Sequence, residues 1–151
     1  MLKLTNKDLY GIKALYELAR NYGGAPLNIK EISTRHGLPV PFLEQVLHHL
    51  KLCGLVKSRR GVNGGYMLSR HPQKITIGDA IRALDGPIAL CDCLLHGNSK
   101  KASDRAMNCV TSTIYKRLGM IVEDAFDSIT LFDLTCESTD STYTGICKFN
   151  Q

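Results

Sequence analysis

The chain has 151 residues, 44% of them apolar and 22% charged, with a formal net charge of +5. That length and balance suit one ordinary folded domain with an appended element. No apolar run is long enough to cross a membrane, and the first residues lack the apolar core of a secretory signal, so a cytoplasmic protein is expected.

The charge is uneven. Residues 1–70 hold eleven Lys and Arg against four Asp and Glu, a balance of +7. Residues 71–151 hold eight against ten, a balance of −2. A basic first half suits attraction to phosphate.

Thr5-Asn6-Lys7-Asp8 has the pattern of a capping box, in which the hydroxyl and the carboxylate satisfy the first free amides of a helix. The helix it opens carries Leu9, Ile12, Leu15, Tyr16, Leu18, Ala19 and Tyr22 on an apolar stripe, and Gly23 to Pro26 stop it. Asn28 to Glu31 repeats the capping pattern for a short helix to about Arg35, with Ile29 and Ile32 inward. Gly37 to Pro41 is a turn, with Pro41 suited to the first position of the next helix.

That helix puts Phe42, Leu43, Val46, Leu47 and Leu50 on one face and Glu44, Gln45, His48, His49 and Lys51 on the other. Gly54 ends it in a left-handed conformation, and Cys53 reads as a core residue. Leu55-Val56 and Tyr66-Met67-Leu68 read as two short strands joined through Arg59, Arg60 and the turn chemistry of Asn63-Gly64-Gly65. Helix, short helix, turn, helix and hairpin is the order of a winged helix-turn-helix, with the third helix for the major groove and the hairpin along the backbone.

Thr76 to Asp79 is a third capping box, opening a helix with Ile77, Ala80, Ile81 and Leu84 inward, and Gly86-Pro87 breaks it. Residues 91–103 read as a polar loop. From 104 to 128 Met107, Val110, Ile114, Leu118, Ile121 and Ala125 step by threes and fours, close to a heptad seam, which suits pairing with the same helix of a second chain, the alternative being that the helix folds back on its own domain. Thr130 caps a last helical turn, and the tail from 135 onward, rich in Ser and Thr, is expected to be mobile. The fold class is therefore mainly α: a winged helix-turn-helix domain with a two-stranded wing plus a long C-terminal dimerisation helix. Its parts are a DNA-binding domain (1–86), a cysteine-containing sensor loop (87–103), the dimerisation helix (104–134) and the tail (135–151).

The six cysteines are Cys53, Cys91, Cys93, Cys109, Cys136 and Cys147. In a reducing compartment clustered thiols point to metal or redox chemistry rather than disulfides. An enzyme is disfavoured. Gly61 to Gly65 lacks the Gly-Lys-Ser/Thr ending of a phosphate loop, and no nucleophile–base or paired-carboxylate set stands out.

Phe42 to Leu47, Gly54-Leu55-Val56, Arg60-Gly61, Gly64 to Arg70, Ile75 to Asp79 and Asp85 to Leu90 together resemble the Rrf-two family of bacterial winged-helix transcription regulators, of the IscR and NsrR type. Ser128 to Leu131 resembles the end of that family's long helix. The resemblance implies a homodimer crossed through the long helix on a roughly palindromic double-stranded DNA operator. It implies operator reading by Glu44, Gln45 and Arg60, with His48, Arg59, Gly64, Gly65 and Tyr66 alongside. The chemistry agrees: Gln suits adenine, Glu accepts from cytosine, and Arg suits guanine or a narrow minor groove. Val40 departs from the pattern, since relatives often place a small hydroxyl residue before this helix.

The resemblance further implies an iron–sulfur cluster, 2Fe–2S or 4Fe–4S, on cysteines before the long helix. Cys93 and Cys109 match the outer family positions. The middle cysteine is absent, with Asn98 to Lys101 in its neighbourhood, and Cys91 is extra. His96 and Asp8 are the candidate fourth ligands, Asp8 also being explained by its capping box. Three readings stay open: a cluster, a cluster-free regulator using thiol oxidation or a small ligand, and zinc on Cys91, Cys93, His96 and Cys109. A winged-helix adaptor between proteins is the other alternative.

Overall fold

A computed structural model of the chain describes residues 5–88 and 110–137. Helix α1 (Asn6–Arg20) opens with Thr5 as N-cap. The Thr5 hydroxyl accepts from the Asp8 amide, and Asp8 accepts from the Thr5 amide at 2.8 Å. Helix α2 (Ile29–His36) has the matching box from Asn28 and Glu31. Helix α3 (Val40–Leu52) follows a turn in which Gly37 takes a left-handed φ of 62°. Pro39 is its N-cap and, having no polar side chain, supplies no side-chain bond. Pro41 therefore sits one place further in than expected.

Gly54 closes α3 at φ 75°, as its position suggested. Its N–H donates to Lys51 O at 3.0 Å and that of Leu55 to Leu50 O at 2.9 Å, the two-bond stop that a left-handed glycine permits. Strands β1 (Val56–Arg59) and β2 (Gly65–Leu68) pair antiparallel, Val56 opposite Leu68 and Arg59 opposite Gly65. The strands are longer toward the tip than the apolar pattern marks, because Lys57, Ser58 and Arg59 are exposed and carry no alternation to read. The wing is held near its tip end by Leu27: its N–H donates to Tyr66 O at 2.9 Å, and Tyr66 N–H returns to Leu27 O at 2.8 Å.

A 3-10 turn (Pro72–Lys74) leads to α4 (Ile77–Asp85), whose Thr76–Asp79 capping box forms as expected. Beyond the undescribed stretch come the long helix α5 (Val110–Ser128) and the short α6 (Leu131–Glu137), capped by Thr130, whose amide donates to Asp133 at 2.8 Å. One core gathers Leu15 and Leu18 of α1, Ile32 of α2, Leu43, Val46, Leu47 and Leu50 of α3, Ile81 and Leu84 of α4, and Leu131 of α6. Burying each such side chain contributes about 1.5–3 kcal/mol.

Three expectations about burial are corrected. Leu9 and Tyr22 are 45% and 47% exposed, although both were placed on the apolar stripe. The inward arc of α1 runs through Asp8, Gly11, Ala14, Leu15 and Leu18 instead. At Gly11 the absent Cβ leaves room for Leu84 of α4. Cys53 is exposed rather than core, because α3 has ended and the residue sits in its C-terminal cap with Sγ 3.6 Å from Ala83 O. Cys91, Cys93, His96, Cys109 and Cys147, with most of the sensor loop, the start of the long helix and the tail, lie outside the described residues.

Candidate nucleic-acid interface

Helix α3 is held from within. Leu43, Val46, Leu47 and Leu50 are buried, and Phe42 meets Tyr10 of α1 edge-to-face at 5.2 Å between ring centroids. That packing fixes which way the opposite face looks. Glu44, Gln45 and His48 are exposed there, and their side chains bond to no other described residue. Their donors and acceptors are available to base edges. His49 turns back on its own helix, with Nδ1 2.8 Å from Gln45 O.

The wing adjoins this face. Lys51 Nζ of α3 donates to Ser58 Oγ of β1 at 2.6 Å, tying the end of the helix to the strand. Arg59 ends β1 and Arg60 begins the loop, both exposed and without an ion pair to a described residue. Val62 at the tip is fully exposed. A cleft of about 570 Å³ lies between the wing and the start of α2, lined by Asn28, Glu31, Arg59, Asn63 and Gly64 among others.

The glycines and Tyr66 serve the frame of the wing. A side chain at Gly64 would strike the carbonyls of Arg59 and Gly61, and one at Gly65 would strike Leu27 O. Tyr66 is half-buried against the core, and its backbone makes the Leu27 rungs. Sequence reasoning passed over Lys57, exposed on β1, and Lys30, exposed in the first turn of α2. The basic balance of residues 1–70 was the signal that could have found them.

The helix-turn-helix is braced by a buried acid. Glu17 of α1, 3% exposed, receives Arg35 Nη1 at 2.7 Å and lies 3.0 Å from His36 Nε2, both of α2. Burial pushes the Glu17 carboxyl up, but the hydrogen bonds and charges of Arg35 and His36 outweigh it and hold it below its ordinary range.

Asp8 is 1% exposed. Its Oδ2 serves the cap, while Oδ1 is buried with no hydrogen-bond partner among the described residues. Burial pushes its carboxyl above the ordinary range, Asp85 adds to the push, and Thr5 offsets it only in part. Thr5 Oγ1 also donates to Asp85 at 3.1 Å, so Asp8 stands beside the end of α4, just before the chain enters the cysteine loop. Among the described residues no cluster of three His, Cys, Asp or Glu could hold a metal, and no helix is long and apolar enough to cross a membrane.

A two-stranded wing packed beside a helix-turn-helix, with an uncommitted polar helix face and free arginines, defines a DNA-binding regulator of the winged-helix class. The family model described as Rrf2, iron-dependent transcriptional regulator, matches residues 4–137, and the chain belongs to that family. The HTH-type transcriptional regulator CymR of Bacillus subtilis (strain 168) is 36% identical over 133 residues, covering 88% of this chain and 89% of its own. IscR of Aliivibrio salmonicida (strain LFI1238) is 32% identical over 137 residues, covering 91% and 79%. The solved structure of CymR (YrzC), described as the global cysteine regulator of B. subtilis, superposes with a TM-score of 0.72 at 36% identity, over 91% of this chain and 98% of that one. This is a family of transcriptional regulators rather than of enzymes.

Proposed function

We propose that the protein is a homodimeric, sequence-specific repressor acting in the cytoplasm. It reads a roughly palindromic operator with Glu44, Gln45 and His48 in the major groove and with Arg59 and Arg60 on the wing. The carrying observation is the outward face of α3: Glu44, Gln45 and His48 make no hydrogen bond to a described residue, on a helix anchored from behind by buried Leu43, Val46, Leu47 and Leu50. Gly64, Gly65 and Tyr66 shape the wing, so they act on DNA through its backbone path. Pairing between copies is supported by Ile114, Leu118 and Ile121 of α5, which are 56%, 45% and 57% exposed at heptad-like spacing.

The finer reading of the sensor is an iron–sulfur cluster on Cys91, Cys93 and Cys109, with Asp8 or His96 as fourth ligand. Thiolates are the right donors, and the unpartnered Oδ1 of Asp8 fits a carboxylate ligand. When bound, such a cluster supplies a centre reactive toward oxygen and nitric oxide. The chain itself contributes the thiolates, a buried carboxylate and the link from Asp8 to Asp85 at the mouth of the loop. Cluster-free regulation by thiol oxidation is the second reading, favoured by Asn98 to Lys101 standing where relatives carry a cysteine.

Two measurements test this. Duplexes selected from a random pool should yield one enriched palindromic motif, and affinity for it should fall steeply with salt, as phosphate neutralisation requires. No enriched motif, or a flat salt response, removes sequence-specific DNA as the ligand. Protein purified without oxygen should be coloured and contain iron and sulfide, with Cys93→Ala or Cys109→Ala bleaching it. Colourless protein after anaerobic reconstitution leaves the cluster-free reading.

A further inference from the structure

Besides the packing of Val122 and Phe126 of α5 against the core, two attachments that share Thr76 join the reading domain to the end of the long helix. The first is backbone. Ile77 N–H donates to Ile129 O at 2.9 Å and Leu131 N–H donates to Ile75 O at 2.9 Å, one antiparallel rung about Thr76 and Thr130. Leu131, fully buried, plugs the core beside it. The second lies at Asp127, in the last turn of α5, two residues before Ile129. Arg82 of α4 grips Asp127 with both guanidinium arms, Nη2 to Oδ1 at 2.6 Å and Nη1 to Oδ2 at 3.2 Å. Thr76 Oγ1 donates to the same carboxylate at 3.1 Å, and Asp79 steadies Arg82 from 3.4 Å. A Cβ at Gly78 would run into Asp127 Oδ1, so the approach needs a glycine there.

One attachment is a pivot; two define a direction. We infer that Arg82, Asp127 and Gly78 are positioning residues that set the angle between each reading domain and the long helix, and thereby the half-site spacing the dimer accepts. The inference rests on the dimer reading above. Planar two-point recognition of a carboxylate by arginine restrains orientation as well as distance.

The lever is long enough to matter. The described part of α5 has 19 residues, so it spans about 28 Å at the usual helical rise. The two attachments lie within a few residues of each other at the end of α5, so a slip of about 1 Å at Asp127 is magnified several-fold at the far end. One base-pair step is about 3.4 Å. A loosened joint thus spans more than one step of spacing, although neither Arg82 nor Asp127 belongs to the reading face.

The test uses the full-length protein and a set of operators built from the selected motif, with single base pairs inserted or deleted between the half-sites. Light scattering first establishes the oligomeric state, and melting curves establish that each variant folds. Wild type should favour one spacing by about tenfold over its neighbours, a cost in the range of one disrupted base contact. Asp127→Ala and Arg82→Ala should flatten that preference to within about threefold while leaving the favoured bases of each half-site unchanged. Gly78→Ala should do the same with both charges still present. Arg82→Lys, which keeps the charge but not the fork, provides a milder variant if the alanine forms do not fold, and should also flatten the profile. Folded, dimeric variants with the wild-type spacing profile overturn the joint and leave the dimer standing. A monomeric wild type overturns the dimer reading itself, and the joint falls with it.

Discussion

Helices α3 and α5 carry similar apolar repeats and end in opposite conditions. In α3 the repeat is wholly covered: Leu43, Val46, Leu47 and Leu50 are at most 1% exposed. In α5 Ile114, Leu118, Met120 and Ile121 are between 45% and 65% exposed. Periodicity in a sequence says that a helix has an apolar face. It does not say whether the chain itself supplies the cover. The covered helix sits in the core of the chain itself, while the uncovered one leaves apolar surface that the proposed pairing of two copies would bury.

That contrast can be broken most directly at matched positions. Leu47→Ala should cost about 2–5 kcal/mol of unfolding free energy by urea titration, with no dependence on protein concentration. Ile121→Asp should leave that free energy nearly unchanged when measured on dilute protein, and should instead weaken self-association at least tenfold in sedimentation, in keeping with a charge at the centre of an apolar interface. Equal losses of monomer stability at both sites would erase the distinction.

Glu17→Gln sharpens the contrast on the side of the chain's own core. Losing the buried carboxylate leaves Arg35 and His36 without their charge partner, and should cost about 1–3 kcal/mol at neutral pH. The sign with pH follows from the depressed carboxyl. Its contribution is fully present above the unfolded carboxylate range and disappears as pH falls through the folded value. The Gln variant should therefore lose part of the wild-type acid sensitivity in melting curves taken from pH 7 downward.

Arg60→Ala should leave the melting temperature in place, since the exposed side chain makes no hydrogen bond or ion pair to a described residue. It should lower DNA affinity and reduce the slope of affinity against salt by about one counterion, read from binding titrations at several ionic strengths. An unchanged slope would remove Arg60 from the interface.

The smallest effect is expected at Asp8. Its folded carboxyl is raised, so the stability it contributes is fully present below the unfolded carboxylate range and is lost as pH rises through the folded value. Asp8→Asn keeps an acceptor for the cap and removes the buried charge. The melting temperature at neutral pH should hold or rise slightly, within about 1 kcal/mol. A large fall would show that the ionised carboxylate is itself needed.

The local rules of the fold were largely legible. Capping boxes at Thr5, Asn28 and Thr76, the glycine stop at Gly54 and the apolar face of α3 follow from short-range chemistry that a sequence displays directly. What could not be read depends on neighbours distant in the chain. Leu9 and Tyr22 have the right character for a core, but the arc of α1 is set by where α4 and α2 press, and Leu84 and Arg35 choose Gly11 and Glu17. Cys53 looked interior because its helix was read one residue too far. On the interface, Glu44, Gln45 and Arg60 were visible as chemistry on an outward face. The structural need for Gly65 was not, because it lies in the close approach of Leu27, almost forty positions upstream.

That same pairing of Leu27 with Tyr66 has a consequence for how such a protein can diversify. The hairpin is clamped just below its loop, in register, to the segment that starts α2. Changes in length or charge between Arg60 and Gly64 are therefore confined to the apex, and loop closure there grows costlier only slowly with added residues. New sequences at the tip can be sampled while the outward face of α3 stays where it is, so the wing can diversify without the fold being put at risk.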